Sequence, residues 1–396
     1  MQTAVIIAAI GSTLYWLFQF ISLTLTTRNM PNLADFNYED LDTYPLISVI
    51  ITACNEADTI EKAVNSRLED DYPALEFLLV EDRSTDGTSE IVDSIAARDK
   101  RVKAIHISEL PDGWLGKVHA LYRGVQEASG EWFLFSDADV HVKPGTLRQL
   151  IARCEKEKFD HTTVLPEFIS AGLFIDAAVS VLLRVLIALG RVYNIEDRNS
   201  NVSGGAGAFN LVRRSAFEKT KGFPWLKMEI IDDVTLGQML KTSGANATAV
   251  RGKGFVEICW YPSFRNALEG MGRAMVAALG NYNFFRLVIA GCVAFIVDMG
   301  IFAAFIPVGV PYLPYLGLFG AAVGVAAAIT ANRLLSLPIL PGILLPLGHT
   351  LVLFLTLCGG VKLAANKGII WRGTHYHKKQ LRQGRRFQYF PPKPPR

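Results

Sequence analysis

Asp137 and Asp139 stand one residue apart, directly after the apolar run at 132–135. Two carboxylates this close repel each other unless a cation lies with them. Hard oxygen ligands suit Mg2+ or Mn2+, ions that commonly bridge phosphate oxygens. A lone D-x-D recurs by chance in many chains, so its place at a strand end is what gives it weight. Other polar groups hold similar places: Asn55-Glu56 follows the run at 46–52, and Glu81-Asp82 closes the run at 76–82. A second acid pair, Asp232-Asp233, precedes VTLGQMLK. Helix capping is the plainer account of such residues. It covers Asp86 and Asn55, but not Asp82 or the D-x-D.

The surrounding elements alternate. Strand runs at 46–52, 76–82, 103–107 and 131–137 are separated by stretches of helical spacing at 57–70, 86–100 and 116–128. Apolar strands with helices between them indicate a parallel sheet covered on both faces. Open α/β sheets of this kind bind ligands beyond the carboxyl ends of their strands. Three strand ends therefore deliver acids to one rim.

Half of the 396 residues are hydrophobic and the mean hydropathy is +0.26, high for a soluble protein. Residues 3–25 carry no charge and are long enough to cross a bilayer as a helix. No basic residue precedes them, which argues for a retained anchor over a cleaved leader. A second apolar block runs from Leu287 to about Gly360, with Asp298 and Arg333 its only charges. Two or three helices fit there. Pro338, Pro341 and Pro346 make the last segment, 338–359, the one expected to fail to span. Residues 170–193 are nearly as apolar but carry Asp176, Arg184 and Arg191, which are costly at mid-span. They are read as a buried or interfacial helix walling a lipid site. Residues 264–286 gather Phe264, Leu268, Met271 and Met275 on one face and suggest an amphipathic interfacial helix. The expected plan is an anchor (1–25), an α/β domain (44–262), an interfacial helix (263–286), a membrane block (287–360) and a basic tail (361–396).

No acid follows Asp298, whereas ten Lys or Arg lie from Lys362 onward, which places the tail in the cytoplasm. Five cysteines without a C-x-x-C pair suggest neither a disulfide framework nor a zinc site. His141, His375 and His377 are not assigned to a metal. No nucleic-acid partner is expected.

The stretches ISVIITACNEADTI, LLVEDRSTDGT, GWLGKVHALYRGVQEASGEWFLFSDADV, GGAGAFNLVRRSAFEKTKGF and IIDDVTLGQMLK fall in one order over about 47–241. Together they resemble the family 2 glycosyltransferases. The membrane segments, and WRGTHYHK in the tail, look like the lipid-acting branch, such as ceramide glucosyltransferases and the hopanoid- and carotenoid-associated glycosyltransferases. The resemblance implies an α/β GT-A fold: a nucleotide-diphospho-sugar transferase domain with a Rossmann-like, mostly parallel sheet, here flanked by N- and C-terminal transmembrane helices. It implies a UDP-sugar donor, a membrane lipid acceptor, Mg2+ or Mn2+ as cofactor and inversion at the anomeric carbon. By position, Glu56 would contact the nucleotide, Asp82 the uracil, and Lys117 the donor phosphates. Asp137 and Asp139 would hold the metal, with Asp139 the firmer ligand. Asp233 would be the base beside Asp232, and Gly204, Gly205 and Gly207 would approach donor sugar and acceptor. Thr52 stands where the family usually has Pro, and Arg83 where it often has Asp or Gly. The Q-x-x-R-W motif of processive synthases is missing, which weighs against polymer synthesis and against a ceramide acceptor. A polyprenyl-phosphate sugar synthase, a processive synthase and an inactive membrane scaffold are the competing readings.

Overall fold

The β-branched run at the front of the α/β segment becomes strand β1 (Ile47–Ala53), fully apolar but for Ser48 and Thr52. A computed structural model describes residues 1–394. The chain divides into two compact units. One holds Met30–Glu167, Asn194–Cys259 and the chain from Ile370 onward; the other holds Met1–Asn29, Phe168–Tyr193 and Trp260–Ile369.

In the first unit β2 (Leu75–Asp82), β3 (Val102–Ile107) and β4 (Trp132–Asp137) join β1 in parallel. Three further strands, β5 (His161–Leu165), β6 (Asn210–Arg213) and β7 (Ala247–Arg251), complete a sheet of order β3-β2-β1-β4-β6-β5-β7. Strand β6 is antiparallel to both its neighbours, and β5 and β7 are parallel. The sheet is thus mostly parallel, as expected. Its register places Thr52 beside Asp137 and Ala53 beside Glu81, so the polar ends of β1, β2 and β4 share one rim. Both faces are buried: Val49, Ile50, Phe77, Val80, Phe133 and Leu134 are each at most 1% exposed. That burial is the main driving force for the sheet, roughly 1.5–3 kcal/mol for each large apolar side chain.

Helices Ile60–Leu68, Thr88–Arg98 and Gly116–Glu127 follow β1, β2 and β3 at the expected places. The first buries Ile60, Ala63, Val64 and Arg67, a face of helical period that includes an arginine.

Five helices of the chain are long and apolar enough to cross a membrane: Gln2–Asn29, Leu173–Asn194, Phe284–Phe305, Leu313–Leu335 and Leu345–Asn366. All lie in the second unit but for the final residue of Leu173–Asn194. Pro346 lies in the first turn of the helix Leu345–Asn366, where a missing N–H costs nothing, and Pro338 and Pro341 fall ahead of it. The expected proline break is therefore a helix start. The chain before and after Leu173–Gly190 enters one sheet, through β5 on one side and β6 and β7 on the other. A single crossing there would divide the sheet across a bilayer, which weighs against a full span at this helix.

Arg184, Asp298 and Asp176 have partners within the unit. Asp298 Oδ1 lies 3.5 Å from Arg184 Nη2 and 3.2 Å from His349 Nε2, and the Asp298 carbonyl accepts the Trp16 indole N–H at 2.8 Å. Asp176 caps its own helix by accepting the Ala171 N–H at 3.0 Å. Internal pairing removes most of the cost that made these residues conspicuous. The helix Phe264–Ala278 is shorter than expected, and its apolar face is used: Met271 and Met275 are buried, and Gly272 meets Gly359 so closely that a Cβ on Gly359 would lie 2.7 Å from the Gly272 carbonyl oxygen. It packs on the helix Leu345–Asn366, as small residues in contact allow. The tail expected at 361–396 begins within that helix, and residues 395 and 396 lie outside the described residues.

Candidate active site

The rim is built from strand ends and the loops that leave them. Asn55, at φ +56, accepts the Thr85 N–H at 2.8 Å and donates its own N–H to Ser84 at 3.1 Å. Asn tolerates this left-handed conformation better than most residues. The Glu56 N–H donates to Thr88 Oγ1 at 2.9 Å, so the loops after β1 and β2 are laced together. Asp86 accepts the Thr88 N–H at 3.1 Å from one position ahead of the helix cap, which is Gly87 rather than the Asp expected there.

Asp82 is 4% exposed and accepts two bonds from Arg83, from Nε at 2.7 Å and from Nη2 at 3.1 Å. Arg83 sits at φ +57, where a residue with a Cβ is disfavoured, and this explains why glycine suits the position. A Cβ on Gly116 would lie 2.2 Å from Asp82 Oδ2, so the helix Gly116–Glu127 starts hard against that carboxylate.

Lys117, the next residue, reaches the acids. Its Nζ is 2.8 Å from Asp137 Oδ1 and 3.7 Å from Asp232 Oδ2. Burial works against its charge, but Asp137, Asp232 and Asp233 outweigh that and hold the ammonium well above its ordinary range. Asp233 accepts the Gly207 N–H through Oδ2 and the Val234 N–H through Oδ1, each at 2.8 Å. Burial raises it above the usual carboxylate range, against the pull of Lys117. Burial lifts Asp232 to about 7, with Lys117 opposing and Asp233 adding to the rise. Asp233 is half-buried and Asp232 buried, so Asp233 is the more accessible of the two.

The glycine loop closes this cluster. A Cβ on Gly205 would lie 2.2 Å from the Asp233 carbonyl oxygen, and one on Gly207 would lie 2.5 Å from Asp137 Oδ2. Gly204 packs against Thr163 and Ile195 instead, where a Cβ would meet Ile195 Cδ1 at 2.7 Å. The Gly207 carbonyl accepts the Asp137 N–H at 3.0 Å. The structure thus brings together Asp137, Lys117, Asp232, Asp233, Gly205 and Gly207, from four separate stretches of sequence. Glu56 and Asp82 stand at the neighbouring strand ends.

Asp139 is lifted to about 7 by burial and by the charges of Asp137 and Glu56, with Arg67 only partly compensating. An uncompensated carboxylate beside a second one fits a divalent cation. Among the described residues no group of three or more His, Cys, Asp or Glu side chains could hold a metal by itself.

Arg67 was not expected here. It is 2% exposed and donates through Nη2 to Ser136 Oγ at 2.8 Å and to the Asp137 carbonyl at 2.7 Å, holding the D-x-D from behind. Its place on the buried face of Ile60, Ala63 and Val64 was readable from spacing. Glu229 is fully buried and accepts the Ile231 N–H at 3.0 Å and the Phe387 N–H at 2.8 Å, fixing the loop that leads to Asp232-Asp233. No local signal marks it. Cys54 lies on the same rim, but burial and Asp82 push its thiol up to about 11, so it is no nucleophile.

Residues 48–221 match the family model described as Glycosyl transferase family 2. An uncharacterized glycosyltransferase of Haemophilus influenzae is 31% identical over 129 residues, 33% of this chain and 38% of that protein. A Campylobacter jejuni protein named GalNAc(5)-diNAcBac-PP-undecaprenol beta-1,3-glucosyltransferase is 30% identical over 112 residues, 28% of this chain and 35% of its own length. These alignments span well under half of each relative. Among solved structures, the mannosyltransferase PcManGT from Pyrobaculum calidifontis, in complex with GDP-Man and Mn2+, superposes with a TM-score of 0.52 at 19% identity, covering 92% of this chain and 97% of that one. Residues 48–221 thus carry a domain that matches the family 2 glycosyltransferases, within an α/β unit of GT-A fold.

Proposed function

We propose that the protein is a membrane-bound, inverting transferase that moves a sugar from a UDP-sugar to the hydroxyl of a membrane lipid. The observation that carries this reading is the meeting of Asp137, Lys117 and Asp233 around the glycine loop. The acceptor hydroxyl attacks the anomeric carbon, the bond from that carbon to the diphosphate oxygen breaks, and the hydroxyl proton passes to the Asp233 carboxylate. Two backbone N–H groups hold that carboxylate in place, which leaves its remaining lone pairs for the acceptor. Mg2+ or Mn2+ held by Asp137 and Asp139 would neutralise the negative charge growing on the leaving diphosphate. Lys117 acts through Asp137 and Asp232, whose charges it balances and whose positions it holds. Glu56 and Asp82 mark the nucleotide end, and the uracil is assigned from Asp82.

The lipid acceptor is supported by the five apolar helices and by the C. jejuni relative, whose name describes an undecaprenol-linked substrate. The basic chain end belongs to the same compact unit as the sheet, so both lie on one side of the bilayer, and the positive-inside rule makes that side the cytoplasm. The test is UDP release by detergent-solubilised protein offered a panel of UDP-sugars and total membrane lipid. Release that needs both lipid and a divalent ion is expected. Release that needs no lipid would overturn the acceptor assignment, and none with any UDP-sugar would overturn the donor.

Gly207→Ala is expected to lower kcat/KM about 100-fold, because its Cβ must push the Asp137 carboxylate away from Lys117, and displacements near 1 Å cost that much. The UDP-release assay checks this, beside a circular dichroism spectrum that should not change. Wild-type rates would contradict the packing of the loop on Asp137.

A further inference from the structure

The chain beyond its last apolar helix returns to the α/β unit and runs across the candidate active site. It begins as a two-stranded hairpin, Gly368–Trp371 and Thr374–His377, joined by Arg372-Gly373. Both turn residues have positive φ, +48 and +76. A two-residue turn of this kind favours Asn-Gly, and an arginine in its first position is strained. The side chain has partners that hold it there: its guanidinium pairs with Glu56, and Nη1 donates to the Asn55 carbonyl at 3.2 Å. Thr374 accepts from Arg83 Nη1 at 3.2 Å, and the Tyr376 hydroxyl accepts the Gly116 N–H at 3.0 Å. Further on, the Phe387 N–H donates to Glu229, Gln388 and Gln238 exchange two hydrogen bonds at 2.7 and 3.1 Å, and Asn201 donates to the Pro391 carbonyl at 2.9 Å. The segment is thus tied to the loop after β1, the loop after β2, the start of Gly116–Glu127 and the chain on both sides of Asp232-Asp233.

This course places a cation where the proposed donor would lie. Arg372 bonds the Asn55 carbonyl and pairs with Glu56, and Thr374, two residues on, bonds the Arg83 that holds Asp82. Asn55 and Glu56 follow β1, which lies in the sheet between β2, ending at Asp82, and β4, ending at Asp137. Arg372 therefore grips the strand end between Asp82 and the D-x-D. Its ion pair with Glu56 is partly open to solvent, with side-chain exposures of 45% and 19%. Such pairs are weak, whereas a guanidinium gripping phosphate oxygens makes strong, bidentate, charge-assisted bonds.

We infer that residues 370–391 form a strap that completes the donor site, and that Arg372 at its hairpin tip binds the diphosphate of the nucleotide, exchanging Glu56 for phosphate oxygens. Tyr376 is a positioning residue, holding the first turn of the helix that carries Lys117. The inference rests on the donor reading above and adds a binding residue that lies outside the family-matched segment 48–221.

The test uses the full chain in detergent, titrated with UDP and with GDP in the presence of Mn2+, and with uridine and guanosine by competition. Arg372→Gln should weaken the preferred diphosphate about 10-fold or more, as loss of a hydrogen bond to a charged group does, and leave its nucleoside within about 3-fold. Arg372→Lys, which keeps the charge, should recover part of the loss; it also carries the test should the glutamine variant fail to fold. Equal weakening of diphosphate and nucleoside would overturn the assignment, since the strap would then only shape the pocket. Unchanged binding of both would overturn it too. If the wild type binds UDP or GDP and the variants bind equally well, the strap alone is refuted. If the wild type binds neither, the donor reading falls and the strap assignment with it.

Discussion

Asp233→Asn is expected to lower lipid-dependent UDP release by about 1,000-fold or more while leaving UDP affinity within a few fold. Removing a general base typically costs between about 100- and 10,000-fold. The upper part of that range applies here, because an amide cannot take the acceptor proton. Asn has one acceptor oxygen where Asp has two, so either the Gly207 or the Val234 N–H loses its partner. That loss should cost about 1–3 kcal/mol of stability, visible as a lower Tm without unfolding at the assay temperature. A variant that binds UDP normally and still turns over at more than a tenth of the wild-type rate would remove Asp233 from the role of base. The wild-type profile supplies a second check. Burial raises the Asp233 carboxyl above the usual carboxylate range, against the pull of Lys117, so as the pH falls through that raised pKa the carboxylate takes up a proton and the base is lost. The rate should therefore rise with pH along a limb lying above the usual carboxylate range and level off beyond it, and this limb should be missing from the residual activity of Asp233→Asn.

Asp139→Asn should abolish the metal dependence of UDP binding. Wild-type protein should bind UDP more tightly in Mn2+ than in chelator, and the variant should show one affinity in both. Losing even an outer partner of a metal ligand costs roughly 10–100-fold in metal affinity, so losing a ligand should cost at least about 100-fold. Asp139 carries an uncompensated charge beside Asp137 and Glu56, against Arg67 alone. The substitution removes a like charge, so in the absence of metal its Tm should be unchanged or higher, which separates this loss from misfolding. Equal UDP affinities with and without Mn2+ in the wild type would overturn the metal site itself. A persistent Mn2+ effect in the variant would move the metal away from Asp139.

The two predictions depend on different layers of organisation. Asp139 follows β4 in sequence, and local pattern alone carries it to the rim: an apolar, largely aromatic run must be buried, and the polar residues after it must leave the sheet. The same logic made β1, β2 and β3 and the helices between them legible, along with the N-terminal apolar helix and two of the three in the C-terminal block. Asp233 depends on more. Its carboxylate is placed by Gly207, 26 residues earlier, and by Lys117, which comes from a different strand crossover. Motif order suggested that these residues belong together; the contact distances that bring them together are set by the packing of β6 against β4.

What the sequence by itself determined is therefore periodic and local: which runs are strands, which are helices, where acids fall at strand ends, and which segments are apolar enough for a bilayer. These features have a short range, because side-chain burial along one element is decided by spacing of two or 3.6 residues. What only the tertiary structure decided is pairing across large separations. Spacing puts Arg67 on the buried face of its helix, but the partner it meets there, the Asp137 carbonyl, is set only once β4 is placed beside it. Arg184 and Asp298 look like barriers to membrane helices until His349 and Trp16 close around them. Arg372 looks like part of a basic tail, 316 residues from the Glu56 that it grips. A charged or polar side chain carries no local sign of its partner, because the free energy that fixes it comes from desolvation and hydrogen bonding that exist only once the chain has packed.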